Sequence, residues 1–341
     1  MSDLHGEPEA LRRGLEAGEV GAGERLWILG DCLDKGPDPW GLLDALATRR
    51  AVGALTLLAG NHDLRVLMGL RALGSQDPRR LHLFARLGTK SLSLLEGSLG
   101  DATPVLSEAA AERELFPDAA WYTEAEGHLA GDPVRELARL RSKEANLRAA
   151  WSSRGHSLAE LHAAACAARA RFEAGGAYAW FHASLRLTAR EGDLLCVHAG
   201  LSDLLAEELP QAAEWELELQ RALAEEALPE LYWGRLAPLL RTKHRPRDEP
   251  FGERGASALR GAGVRLVVHG HQPQRDGQVL SLRGGLPHLV VDTTSDGPSR
   301  ALAGLEGPGG GVTSFLPEGL LRAWSSDAGW KELRVEVRAE S

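Results

Sequence analysis

A chain of 341 residues, 43% of them hydrophobic, is long enough to bury one large core or two modest ones. Its net charge of −9 argues against a protein that coats nucleic acid or binds a membrane through a basic surface, so we expect neither partner. The three cysteines, Cys32, Cys166 and Cys196, form no CxxC pair, which argues against a disulfide framework or a zinc finger. With no apolar run of membrane-spanning length and no basic-then-apolar leader, we predict a soluble cytoplasmic α/β protein.

The chain begins with a pair of potential metal ligands. Asp3 and His5 are two residues apart, so both side chains point the same way in an extended segment. A carboxylate beside an imidazole can form half of a metal site, although two solvated polar residues are the simpler alternative. A helix is predicted next, with Pro8 in its first turn and Gly18 at its end.

The first predicted strand ends in two carboxylates. Residues 26–29 are an apolar run typical of a strand buried on both faces, and Gly30 and Asp31 end it. A second carboxylate, Asp34, precedes Lys35 in the region where open α/β sheets bind ligands. The alternative is a loop with two solvated acids.

A second strand is predicted to end beside the first. A helix over residues 38–50 leads to an apolar strand over residues 54–59, which is followed by Asn61 and His62. The two strands of such a strand–helix–strand unit should be parallel and end at the same edge of the sheet. Asp31 and Asn61 are therefore expected to lie side by side.

Residues 81–190 are dominated by Ala, Leu, Arg and Glu, and short apolar strands are missing there. The clearest helix is predicted over residues 157–174, where Ser157 and Glu160 have capping-box spacing and Gly175 follows the end. We interpret this region as a helical insertion, to which no chemistry is assigned, within a single domain over residues 1–341.

Strand ends that carry histidine occur in the C-terminal half. Residues 193–197 and 264–268 are predicted strands; the first is followed by His198 and the second by His269 and His271. The remaining segments are expected to be β-structure and to end in an alternating strand that contains Leu333, Val335 and Val337.

These segments together predict a metal centre. Carboxylate, imidazole and amide donors without cysteine suit Mn²⁺, Fe²⁺ or Zn²⁺. The donors are too many for one ion, and two ions about 3.5–4 Å apart need a bridging carboxylate, for which Asp31 is the natural candidate. Two such ions lower the pKa of a shared water and stabilise both oxygens of an in-line displacement.

The order of the motifs resembles a known family. The chain contains, in this order, DLHG (3–6), GDCLDKGP (30–37), GNHD (60–63), VHAG (197–200) and HGHQP (269–273). This order resembles the calcineurin-like metallophosphoesterases and is most similar to their phosphoprotein-phosphatase branch, with the bacterial serine/threonine phosphatases and the symmetrical dinucleoside tetraphosphatases. The resemblance implies an α/β fold in which two β-sheets pack as a sandwich flanked by helices. It does not include residues 81–190.

The resemblance also implies a set of metal ligands. One metal would be held by Asp3, His5 and Asp31, and the other by Asp31, Asn61, His198 and His271. Manganese is the expected cofactor, with iron or zinc as alternatives. His269 is expected to support the site without binding a metal.

The catalytic groups that the resemblance implies are His62, Asp34, Arg235 and Lys35. His62 would give a proton to the leaving group and would be oriented by Asp34. Arg235 and Lys35 would bind the phosphate. Lys35 stands where the branch usually has arginine, so we expect a point charge in place of a bidentate grip and weaker binding.

Two further departures from the family concern Asp63 and the start of the chain. Asp63 replaces the glutamate of protein phosphatases and is typical of the dinucleoside tetraphosphatases. Only Met1 and Ser2 precede Asp3 where the family has a buried strand. Either the chain start is misassigned or the first metal site lies on a frayed end.

The leading functional hypothesis is a two-metal phosphoesterase that attacks phosphomonoesters in line with a metal-bridging hydroxide. Its substrate would be a phosphoserine or phosphothreonine protein or a small phosphoester. The alternative within the family is a symmetrical bis(5'-nucleosyl)-tetraphosphatase. The alternative of another class is a non-catalytic module that binds metal or phosphate, which the short segment before Asp3 favours.

Overall fold

The structure is a computed structural model that describes residues 1–21, 23–53, 55–125, 129, 132–225, 227–316 and 319–335. It confirms the predicted α/β class. Over these residues the strands form three hydrogen-bonded sheets, and the helices lie mainly between residues 8 and 261.

Two of the sheets form a central layer. In the first, β1, β2 and β3 are parallel and lie in that order, and Leu26 pairs with Leu55. In the second, the order is β4-β5-β6-β8-β7, with β5, β6 and β8 parallel and both edge strands antiparallel. The bounds are β1 (Leu26–Ile28), β2 (Leu55–Leu58), β3 (Leu185–Arg186), β4 (Thr188–Glu191), β5 (Leu194–Val197), β6 (Leu266–His269), β7 (Val279–Arg283) and β8 (Leu286–Val290).

The third sheet covers one face of this layer, which agrees with the predicted sandwich of β-sheets flanked by helices. It is antiparallel, in the order β11-β10-β9. Ile28 and Leu57 of the central layer belong to the core that the helices share, whereas Leu29 and Leu58 belong to a second core with Leu321 of the third sheet. Alternate residues of one strand thus serve two cores. The bounds are β9 (Gly311–Phe315), β10 (Leu320–Ser325) and β11 (Gly329–Arg334).

Most of the predicted helices are present, with the caps that the sequence indicated. Asp38 accepts a hydrogen bond from the Gly41 N–H at the start of α2, and Ser157 and Glu160 form the capping box of α8. The first helices are α1 (Pro8–Ala17), α2 (Pro39–Val52), α3 (Asn61–Arg71), α4 (Leu92–Glu96), α5 (Glu108–Leu115), α6 (Ala119–Glu124), α7 (Pro133–Ser153), α8 (Leu158–Phe172) and α9 (Ala179–Ala183). The others are α10 (Asp203–Glu207), α11 (Ala212–Ala224), α12 (Leu228–Trp233), α13 (Ala237–Arg241), α14 (Glu253–Gly261) and α15 (Gly297–Ala303).

Three details differ from the sequence predictions. The region predicted to be helical up to residue 190 ends at α9 and is followed by β3 and β4. Helix α15 lies where β-structure was expected, because Asp296 accepts a hydrogen bond from Ser299 N–H and caps it. Val337 of the predicted last strand lies outside the described residues, and the single-domain assignment stays a prediction.

None of the helices in the described part of the chain combines the length and the apolar character needed to cross a bilayer.

Candidate metal centre

The N-terminal segment lies against the end of β1. Residues 1–6 are all buried. The Asp3 N–H donates to the Gly30 carbonyl at 3.0 Å, and the His5 N–H donates to the Asp31 carbonyl at 2.8 Å. The frayed end that the short N-terminal segment suggested is therefore not present, and both side chains are held at the edge of the sheet.

The ends of β1 and β2 approach each other closely because two glycines lack side chains. Gly30 has a φ of +92°, and a Cβ there would lie 2.7 Å from Gly60 Cα and 2.7 Å from His198 Nδ1. A Cβ on Gly60 would lie 2.1 Å from the Asp31 backbone nitrogen. This close approach brings Asp31 and Asn61 to neighbouring positions, as the parallel strands predicted.

The first group of donors consists of Asp3, His5 and Asp31, which are buried and whose ligand atoms lie within 4.8 Å of one another. His5 Nε2 lies 3.9 Å from Asp3 Oδ1 and 3.8 Å from Asp31 Oδ2. The other oxygen of Asp3 accepts hydrogen bonds from the Ser2 hydroxyl and from the His271 backbone N–H. These bonds fix the carboxylate and leave Oδ1 facing the other donors.

The second group consists of Asp31, His198 and His271, whose ligand atoms also lie within 4.8 Å of one another. His198 Nδ1–H donates to the Leu29 carbonyl at 2.6 Å, so the lone pair of Nε2 faces Asp31 Oδ1 at 3.5 Å and Asn61 Oδ1 at 3.3 Å. His271 Nε2–H donates a hydrogen bond to the last carbonyl of α13 at 3.2 Å, so the lone pair of Nδ1 is the one that can bind a metal ion. A backbone carbonyl that orients an imidazole in this way is a common feature of metal sites.

Asp63 fixes the loop that carries Asp31, a role that the sequence did not reveal. Its carboxylate accepts hydrogen bonds from the backbone N–H groups of Asp31, Cys32, Leu33 and Gly60, at 2.9 to 3.1 Å. Burial and the charge of Asp31 raise the pKa of Asp63 to about 7, while these N–H donors act in the other direction. The sequence feature that could have indicated this role is the position of Asp63 in the first turn of α3.

His62 and Asp34 form the predicted pair beside the two groups. His62 Nδ1 lies 2.6 Å from Asp34 Oδ2, and Asp34 Oδ1 lies 3.3 Å from His5 Nδ1. The sequence did not reveal Arg65, whose Nη2 lies 2.8 Å from Asp34 Oδ2 and 2.7 Å from His62 Nδ1. Burial and the Arg65 guanidinium lower the pKa of His62 to about 3, against the opposing charge of Asp34.

Lys35 lies at the mouth of the site, in a cavity of about 130 Å³ that Lys90 and Lys243 also line. Its Nζ lies 2.7 Å from His5 Nε2 and 3.3 Å from Asp296 Oδ2. Burial lowers the pKa of Lys35, but Asp296 and the neighbouring carboxylates outweigh it and raise that pKa above its usual value. The contact with Asp296 was not foreseen.

The structure does not place Arg235 with these residues, so its predicted phosphate-binding role is not supported. The guanidinium is 48% exposed and pairs with Glu208 at 2.7 Å and with Glu218 at 2.9 Å. These carboxylates already neutralise the arginine, and it does not line the cavity at Lys35.

His269 is buried but belongs to neither group of donors. Its ring packs against His288 and His244, with centroids 5.7 Å and 6.2 Å away. The supporting role of His269 stays a prediction.

The backbone is strained at the centre. Nine non-glycine residues in the described part have positive φ, a conformation that costs free energy and persists where the surrounding structure imposes it. Six of the nine belong to the site: Asp3, His5, Asp31, Asp34, Lys35 and His271.

The donor set fits a pair of divalent cations. Three carboxylates, Asp3, Asp31 and Asp34, are buried close together, which is unfavourable unless positive charge compensates them. The lone pair of His5 Nε2 already faces a cation, the ammonium group of Lys35. Oxygen and nitrogen donors without a thiolate match divalent ions such as manganese, iron or zinc.

No protein-family model matches the sequence, and no curated protein matches it. Similar solved structures include a cold-active protein-tyrosine phosphatase of a psychrophilic Shewanella, with 16% identity and a TM-score of 0.47 over 98% of this chain and 79% of that one. A protein serine/threonine phosphatase of Saccharomyces cerevisiae is 13% identical, with a TM-score of 0.41 over 100% and 79% of the two chains. A metallophosphoesterase of Sphaerobacter thermophilus is 13% identical, with a TM-score of 0.32 over 98% and 87%. With TM-scores this low, the functional assignment depends on the geometry of the site itself.

Replacing Asp63 tests whether it holds the loop. In Asp63→Asn an amide nitrogen takes the place of one acceptor and faces backbone donors, so the free energy of unfolding should fall by roughly 2 kcal/mol or more. Denaturant titration measures this, with Asp101→Asn as the control because that side chain is 62% exposed and pairs with Arg171 at the surface. Equal stability of the two variants would contradict the role of Asp63.

Proposed function

We propose that the protein is a two-metal-dependent phosphoesterase that hydrolyses phosphomonoesters carried by proteins or small molecules. The observation that carries this proposal is the convergence of two groups of donors, all buried except the half-buried His271, on one carboxylate, Asp31. A pair of groups that share a carboxylate is the arrangement that two-metal catalysis of phosphoryl transfer requires. The resemblance of the five sequence motifs points to the same chemistry.

Two divalent ions would supply a nucleophile at neutral pH and would neutralise charge on the phosphoryl oxygens. Asp3, His5 and Asp31 would hold one ion, and Asp31, Asn61, His198 and His271 the other. Manganese is the proposed metal. The chain's own contribution is to keep these donors fixed, through backbone hydrogen bonds and a buried carboxylate behind the loop.

The cavity supplies positive charge for the phosphate. Lys35, Lys90 and Lys243 all line it, and its volume of about 130 Å³ is small. Phosphoryl transfer depends mainly on positioning and on neutralising the charge of the equatorial oxygens. In this proposal the three lysines take the role that sequence reasoning gave to Lys35 and Arg235.

His62 is the proton donor in this proposal. Asp34 holds its Nδ1, so Nε2 is the atom that can face the leaving oxygen. Burial and Arg65 favour the neutral imidazole, and the negative charge of a bound phosphate would act in the opposite direction and raise the pKa of His62. Proton donation matters most for alkoxide leaving groups, which are poor without it.

The two alternative functions are a dinucleoside tetraphosphatase and a non-catalytic module. Symmetrical hydrolysis of dinucleoside tetraphosphates would use the same residues, and a comparison of a phosphopeptide with diadenosine tetraphosphate separates it from phosphomonoester hydrolysis. The non-catalytic module was favoured by the short segment before Asp3. That segment is buried and hydrogen-bonded, so nothing in the described part of the chain favours this alternative.

Asp31→Asn should remove the shared ligand. Mutation of residues that only support a metal ligand lowers metal affinity by roughly 10–100-fold. Loss of this ligand itself should therefore weaken metal binding by more than about 100-fold. Elemental analysis of the manganese bound per chain measures this, together with phosphatase activity. Asp38→Asn is the matched control, because Asp38 follows the same strand but caps α2. Full metal content in Asp31→Asn would overturn the assignment.

His62→Asn should affect substrates according to their leaving group. We expect a loss of about 10²–10⁴-fold in kcat for a seryl or alkyl phosphate, which needs a proton donor, and a much smaller loss for p-nitrophenyl phosphate. Steady-state kinetics on both substrates give the ratio. An equal loss on the two substrates would show that His62 has another role.

A further inference from the structure

A second and larger cavity, here called the basic cavity, lies beside the metal centre. Its volume is about 650 Å³, within the range of pockets that bind small molecules. Of its fifteen described lining residues, seven are arginine or lysine and three are acidic. In a chain with a net charge of −9, this concentration of positive charge indicates a site for an anion.

The three acidic residues do not neutralise the basic cavity. Asp132 caps α7, and Asp248 accepts hydrogen bonds from backbone N–H groups of its own turn. Only Glu136 among the three forms ion pairs with lining cations that the structure describes, Arg86 and Arg139, each at 2.9 Å. An excess of positive charge therefore remains.

Lys143 of α7 is the cation in the least favourable surroundings. Its Nζ donates to the Arg86 carbonyl, and it has no carboxylate partner among the described residues. Burial lowers the pKa of Lys143 to about 7, and the charges of Arg65 and Lys90 act in the same direction. A bound anion would relieve this repulsion.

Three arginines of the cavity also have unused hydrogen-bond donors. The Nε atoms of Arg65, Arg86 and Arg241 are buried and have no hydrogen-bond partner among the residues that the structure describes, although buried donors are normally paired. Arg86 stacks on Trp233 and Arg241 on Tyr232, with distances of 5.5 Å and 4.9 Å to the ring centroids. The rings hold the guanidinium groups in position, which favours phosphate, because a guanidinium can bind phosphate with two parallel hydrogen bonds.

The basic cavity and the metal centre share walls. Arg65 lines the basic cavity and donates to Asp34 in the metal centre at 2.8 Å. The side chain of Arg241 lines the basic cavity, while its carbonyl accepts from His271 at 3.2 Å. Arg65 and Arg241 therefore connect the basic cavity to the metal centre.

We propose that the basic cavity binds a second phosphate group of the substrate, and that the preferred substrates are small molecules with two or more phosphate groups. This proposal rests on the proposed function, because the first phosphate is the one hydrolysed at the metal centre. The cations of α7 hold the other phosphate and so select against substrates that have only one.

The first experiment measures binding without catalysis. The full-length chain is titrated calorimetrically with inorganic tripolyphosphate, without added divalent ions. Arg139→Gln combined with Lys143→Gln should weaken binding by about tenfold or more, since it removes two charge-assisted contacts. Arg135→Gln, at an exposed lining position, should weaken it less and keeps the test valid if the double variant does not fold. Unchanged binding in both would overturn the proposal.

Arg141→Gln is the matched control. Arg141 is an exposed residue of α7 that stacks on Tyr122 and does not line the basic cavity. Like Arg135→Gln, it removes one positive charge from α7, but at a position outside the basic cavity, so it should leave the affinity for tripolyphosphate unchanged. A loss in this control equal to that in the double variant would contradict a defined site, because it would reflect overall charge alone.

The second experiment measures selectivity with manganese. The ratio of kcat/KM for a sugar bisphosphate, which carries two phosphomonoester groups, to that for p-nitrophenyl phosphate should fall about tenfold in the double variant. An unchanged ratio would overturn the proposal, and so would a loss confined to a doubly phosphorylated peptide, which would assign the cavity to protein substrates. If no phosphoester is hydrolysed but tripolyphosphate binding still depends on Arg139 and Lys143, the proposed function fails and the anion site stands.

Discussion

The buried carboxylate of Asp31 is the charge on which the rest of the site depends. It belongs to both groups of donors, and its Oδ1 accepts the His62 backbone N–H at 2.8 Å. Burial alone would raise the pKa of Asp31, but the neighbouring imidazoles of His198, His62 and His5 outweigh it and lower that pKa. The loop can hold this charge because Asp63 binds its backbone from behind and because Gly30 and Gly60 let the two strand ends approach.

A region with an excess of negative side chains lies beside a region with an excess of positive side chains in this protein. The metal centre contains buried carboxylates that require cations, whereas the basic cavity contains half-buried Lys143, which has no carboxylate partner among the described residues. Arg65 belongs to both, since it pairs with Asp34 on one side and lines the basic cavity on the other. A substrate with several phosphates would satisfy both regions at once. This would explain why a chain of net charge −9 keeps so many arginines in one place.

The sequence could predict the features that depend on strand direction and on local caps. Asp31 and Asn61 were expected to be neighbours because parallel strands end at one edge, and they are. The role of Asp63 could not be predicted, because its partners are backbone groups of a distant loop, and Arg65 carries no motif. The position of Arg235 was set by long-range pairing with acids that a short motif does not contain. Which sheet the C-terminal strands join is likewise decided by long-range packing.

The most direct test of the central claim is anomalous X-ray scattering from crystals of the full-length protein soaked in manganese. We expect two peaks per chain, both next to the Asp31 carboxylate, one on the side of Asp3 and His5 and the other on the side of His198 and His271. A single peak, or peaks that do not share Asp31, would contradict the claim that separate segments of this chain build one two-metal centre.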